Sequence, residues 1–144
     1  MASAICYAIM VAAAGIDARD RVFPNGLAAL FIVAAGASAV VAGGIGLLVR
    51  RICLAWVACG ILLLFELVWR RLHGGVAGLG MGDIKYLFGC LLLDPLLGLY
   101  SFAMGLLALA VAGLILHRPS LPLLPFAVCA YAALAALAGS GFWF

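Results

Sequence analysis

The chain has 144 residues, 69% of them hydrophobic and only 9% charged, and its mean hydropathy is +1.36. That length predicts one domain spanning residues 1–144, and the composition excludes a soluble globule in favour of a polytopic membrane protein. The net charge of +3 comes mainly from arginines at segment ends, and no basic–aromatic run suits a groove for RNA or DNA.

Residues 1–16 form an uncharged apolar run. With no basic stretch before it, the run reads as a retained first span and not as a cleaved signal peptide. The connection DARDRVFP (17–24) carries four charges in five positions, and Pro24 suits the first turn of the next helix. Residues 25–49 form a second span, stopped by Arg50 and Arg51, and residues 52–69 a third. Glu66 lies near the end of that span, where Arg70 at i+4 is its expected partner. An acid acting within the membrane is the alternative for Glu66. Arg70, Arg71 and His73 mark an interface, with Trp69 beside them as an aromatic anchor.

The fourth span, 76–93, contains GLGMGDIK (78–85). Asp94-Pro95 then reads as an N-cap and first-turn pair opening a fifth span, 95–116. His117, Arg118 and Pro119 form a polar turn. The last segment, 121–144, opens with Pro122 and Pro125 and ends in Phe142-Trp143-Phe144, an interfacial girdle. Its broken start predicts a kinked or partly re-entrant entry. The fold class is thus all-α, with about six transmembrane helices. Arg19, Arg21, Arg70, Arg71, Lys85 and Arg118 fall on one side, and Arg50 and Arg51 on the other. The excess of positive charge makes the first side cytoplasmic and puts both termini outside.

Asp83 stands out because an ionisable group at membrane depth is costly and signals function. Gly80 and Gly82 remove bulk around it, and Gly74, Gly78 and Gly82 recur every four residues as a helical packing strip. If span four starts at Val76, Asp83 lies about 10 Å deep at 1.5 Å per residue. Either the glycine stretch is largely outside the helix or a watered cavity dips to meet Asp83, and the cavity is preferred because hydrolysis needs water. Asp17 falls on the same side. Cys6, Cys53, Cys59, Cys90 and Cys129 form no C-x-x-C pair and read as small buried hydrophobes. His73 and His117 read as interfacial groups and not as metal ligands. Lys85 reads as a snorkelling lysine, with a charge beside the acids as the alternative.

Asp17-Ala-Arg-Asp-Arg-Val-Phe-Pro24-Asn25, followed by Gly80-x-Gly82-Asp83-x-Lys85, resembles the type IV prepilin peptidases, the GxGD aspartyl proteases of membranes. Asp17 has that family's spacing of seven residues before the proline of an apolar-Pro-Asn step, and Asp20 does not. LPLLPF (121–126) is similar to a proline-rich stretch near the family's last span. The longer members carry a cytoplasmic region with paired cysteines and also N-methylate the trimmed pilin. This chain has neither that length nor those cysteine pairs, so it looks like the short, peptidase-only kind associated with Flp-type pili or, less closely, archaeal preflagellin peptidases.

The resemblance implies a single peptidase domain in a bacterial or archaeal cytoplasmic membrane. Asp17 and Asp83 would be catalytic, with Gly80, Gly82, Lys85, Pro24 and Asn25 supporting. No metal or organic cofactor is implied. The implied partners are the bilayer and a prepilin with a basic leader and an apolar helix, cleaved just before that helix. Two carboxylates facing one water can share a proton, which suits general acid–base hydrolysis. A proton- or ion-coupled transporter subunit using Asp17, Glu66 and Asp83, or a scaffold built on the glycine strip, are the alternatives.

Overall fold

A chain with so few polar residues satisfies its backbone N–H and C=O groups most economically within helices. The computed structural model describes residues 2–75, 79–117 and 121–139. The regular elements among them are α1 (Ala2–Asp20), α2 (Asn25–Leu72), α3 (Met81–Leu93), α4 (Pro95–Leu116) and α5 (Leu124–Gly139). Val76 and Gly78, the Arg118-Pro119 turn and the Phe142-Trp143-Phe144 girdle lie outside the described residues.

Helix α2 is one run of 48 residues interrupted at Gly43 (φ −156°, ψ 20°) and Gly44 (φ 71°, ψ −170°). The Gly44 conformation is essentially closed to residues with a Cβ. Contacts with α3 show that the two arms of α2, 25–42 and 45–72, run in opposite directions. Asn25 meets Lys85 and Phe31 stacks on Tyr86, so the first arm runs parallel to α3. Arg51 meets Leu92 and Leu93, Cys59 meets Ile84 and Glu66 meets Leu79, so the second arm is antiparallel to it. The reversal therefore lies at Gly43-Gly44, and the break expected at Arg50-Arg51 is absent. Helix continues through both arginines because Arg51 has another use. Its Nη1 donates to the carbonyls of Leu92 (3.0 Å) and Leu93, which the end of α3 leaves without intrahelical donors.

Asp94 separates α3 from α4 as its sequence suggests. Its Oδ1 accepts from the Leu97 N–H at 2.9 Å, with Pro95 in the first helical position. The helix expected to start at Pro24 starts at Asn25, with Pro24 extended at the cap position. Among the described residues before α5, 121–123 are irregular, and the helix from Leu124 to Gly139 is unbroken with Pro125 in its first turn.

Small residues set the closeness of packing. A Cβ on Gly89 would enter the ring of Phe31, one on Gly98 would sit 2.9 Å from the Cys90 backbone, and one on Gly105 would sit 2.8 Å from the Ala127 Cα. The expected strip of Gly74, Gly78 and Gly82 does not form one helical face. Gly74 lies in the turn after α2 with φ +66°, and Gly82 lies in α3. Around these contacts Met10, Phe31, Tyr86, Leu87, Leu124 and Tyr131 form the buried centre. Cys6, Cys59 and Cys90 are buried as expected, whereas Cys53 and Cys129 face outward.

Helices Asn25–Leu72 and Pro95–Leu116 are long and apolar enough to cross a membrane, yet only 17% of each apolar window is buried. Helices in the core of a soluble protein would be mostly covered. Here Trp56, Leu64, Phe65, Leu107 and Leu114 are all more than half exposed. Such a surface suits lipid and is costly in water.

Candidate active site

The two acids singled out by the sequence lie at helix ends, Asp17 after the apolar run of α1 and Asp83 before that of α3. Helix α1 continues past residue 16 to Asp20, and the Arg21 N–H closes its last turn on the Asp17 carbonyl at 3.0 Å. Asp17 is 8% exposed. Its Oδ2 accepts from the Leu124 N–H at 3.1 Å. That amide is one of the donors every helix N-terminus leaves free, so the LPLLPF segment turns α5 to point its positive end at Asp17. Asp20, three residues on, is exposed.

Asp83 is the third residue of α3, and its Oδ2 accepts from the Gly80 N–H at 3.1 Å. A Cβ on Gly80 would stand 2.9 Å from that oxygen, so this glycine gives the carboxylate room to fold back over the helix start. A Cβ on Gly82 would stand 3.0 Å from the Cβ of Phe23, which brings the start of α3 against the connection that follows Asp17. Asp83 therefore stands at the end of the bundle that also holds the connection after Asp17.

The expected depth of Asp83 is corrected by the start of α3. The helix begins at Met81, not Val76, so Asp83 lies two residues from its start, roughly 3 Å at 1.5 Å per residue. Leu79 and Gly80 are outside the helix.

Lys85 has a partner that its sequence reading did not name. Its Nζ donates to Asn25 Oδ1 at 2.6 Å, joining the residue after Pro24 to the glycine–aspartate segment. All seven residues singled out by the sequence thus gather at one end of the bundle. Gly80 and Asp83 are joined by a hydrogen bond, Gly82 abuts Phe23 beside Pro24, Asn25 binds Lys85, and Asp17 precedes the same connection.

Glu66 belongs to the same end. It is 5% exposed, and its Oε1 accepts from Arg70 Nε at 2.7 Å, the i+4 pair expected from sequence. Its Oε2 accepts from the Leu79 N–H at 2.8 Å, which sequence spacing did not foretell. The signal was a buried-type acid with one spare oxygen in the helix preceding the motif. His73 stacks on Trp69 with ring centroids 3.8 Å apart, as an interfacial pair would. Among the described residues no group of three His, Cys, Asp or Glu could hold a metal ion.

Compared with family models, curated proteins and solved structures, the chain finds no match. The site must be judged on its chemistry. Two carboxyls stand at one end of the bundle on different helices, each accepting from an amide at a helix N-terminus. Such a pair can hold one proton between them and exchange it with water.

Proposed function

We propose that the chain is an aspartic endopeptidase of the prepilin-peptidase kind, removing the basic leader from a prepilin-like substrate at the cytoplasmic face of a membrane. The observation that supports this reading is the close approach of Gly82 to Phe23, which sets the start of α3, with Asp83, against the connection that follows Asp17. In the proposed reaction the ionised member of the pair takes a proton from water as it attacks the scissile carbonyl. The protonated member hydrogen-bonds the carbonyl oxygen and delivers a proton to the leaving amine. No cofactor is needed for those steps. Counting each arm of α2 separately, the six helical segments would each cross the bilayer, with the charged end cytoplasmic and both termini outside. This sidedness suits a substrate whose basic leader lies in the cytoplasm and whose apolar helix lies in lipid.

The test is co-expression with candidate prepilins, scoring leader removal by mass. The wild type is expected to trim one of them. Asp17→Asn and Asp83→Asn should each abolish cleavage without loss of membrane insertion, because an amide cannot exchange the proton. Asp20→Asn should retain most activity, its carboxyl being exposed and away from the pair. The double Asp17/Asp83 variant should be no worse than either single one, as residues acting as a unit are non-additive. Normal trimming by Asp83→Asn would remove the peptidase reading.

A further inference from the structure

We propose that Glu66 is a positioning residue for Asp83, acting through the Leu79–Gly80 backbone; the inference rests on the peptidase reading above. Leu79 and Gly80 are consecutive, and their two N–H groups are taken by two different carboxylates. The Leu79 N–H goes to Glu66 Oε2 at 2.8 Å and the Gly80 N–H to Asp83 Oδ2 at 3.1 Å. Glu66 is itself held by Arg70 at 2.7 Å on the same helix. A chain of contacts therefore runs from α2 to the catalytic carboxyl: Arg70, Glu66, the Leu79 amide, the Gly80 amide, Asp83.

The arrangement answers a mechanical need. The segment entering α3 is rich in glycine, which orders at a large entropic cost and has no side chains to pack. Gly80 lacks the Cβ that would otherwise hold its backbone, because that space belongs to Asp83. Something outside the segment has to fix the peptide that donates to Asp83. Glu66 is placed to do so, being buried, charged and part of a long helix. A hydrogen bond to a charged acceptor in such a site is worth more than a neutral one. An ion pair with Arg70 alone would need only one of its oxygens, and could stand exposed on the helix surface. Burial of Glu66 with its second oxygen on a loop amide thirteen residues away points to a loop-holding role.

The effect should fall on turnover and not on substrate affinity, since Glu66 bonds the backbone that sets Asp83. In the full-length protein in lipid nanodiscs, Glu66→Ala should lower kcat on the order of tenfold to a hundredfold with KM little changed, as misplacement of a reacting group does. Glu66→Gln, which keeps an acceptor for the Leu79 N–H, should restore most of that loss. In parallel, hydrogen exchange at the Leu79 and Gly80 amides should be slow in the wild type, fast in Glu66→Ala and slow again in Glu66→Gln. A wild-type kcat in Glu66→Ala, or equal losses in the Ala and Gln variants, would overturn the proposal. So would wild-type Leu79 exchanging at the rate of a free peptide, a result that needs no variant to fold. Because exchange is read without substrate, it decides the role of Glu66 on the backbone even if the wild type proves to trim no prepilin. That second result would instead count against the peptidase reading.

Discussion

At the scale of single residues, the site is costly to the fold. Asp17 is 8% exposed with its Oδ2 on the Leu124 N–H, and burial of a carboxyl is unfavourable unless it is hydrogen-bonded. Asp83→Asn keeps an oxygen that can accept from the Gly80 N–H, so it should fold and melt close to wild type while losing cleavage. Thermal unfolding in detergent measures it, and a large drop in melting temperature would mean that the carboxylate itself holds the start of α3. Both acids were legible in the sequence because an apolar background makes every carboxylate conspicuous. The hydrogen bond from Leu79 to Glu66 was not, since a backbone amide leaves no trace in residue spacing.

At the scale of the helix, glycine decides where chains touch, and sequence alone selects among glycines poorly. The fourfold spacing of Gly74, Gly78 and Gly82 suggested one face, but a spacing has meaning only within a continuous helix, and α3 begins at Met81. Gly82 does make a close approach, to Phe23. Gly89, Gly98 and Gly105 make theirs where no charge or motif marks them. The Arg50-Arg51 pair was misleading for a related reason: a basic pair marks an interface only if nothing in the protein accepts its hydrogen bonds, and here α3 does. These contacts differ in how far they can yield. At Gly82 a methyl would meet the Phe23 Cβ at 3.0 Å, in a connection that can shift by a few tenths of an ångström. At Gly105 it would meet the Ala127 backbone Cα at 2.8 Å and N at 2.9 Å, inside a helix that cannot shift locally. Gly105→Ala should therefore cost about 1–3 kcal/mol, the usual range for overpacking, and Gly82→Ala less. Gly82→Leu should impair both cleavage and folding by forcing the Phe23 connection away from α3. Melting temperatures of the three variants rank the effects; a Gly105→Ala protein as stable as wild type would mean that α4 and α5 are less closely packed than this.

At the scale of the whole molecule, helix length forces the topology. A straight helix of the 48 residues in α2 would be roughly 72 Å long at 1.5 Å per residue. The hydrocarbon core of a bilayer is about 30 Å thick, less than half of that. Such a helix would carry Trp56, Leu64, Phe65 and their neighbours far into water, where exposed apolar area is most costly. Doubling back at Gly43-Gly44 removes the conflict and returns the end of α2 to the level of its start, which is how Asn25 and Glu66 both reach the segment 79–85. Two helical arms were legible from the length of the apolar stretch; the position of the turn was not, because it depends on a glycine conformation and not on hydropathy. The consequence is measurable in cells. With the five native cysteines replaced, single cysteines at Asp20 and His73 should be labelled by a membrane-impermeant maleimide from the same side. A cysteine at Val41, which is 83% exposed beside the turn, should be labelled from the other side. The proposed sidedness assigns Asp20 and His73 to the cytoplasm, so intact cells should protect both and expose Val41. Labelling of Asp20 and His73 from opposite sides would mean that α2 crosses once, and the reversal that assembles the acidic end would then be wrong.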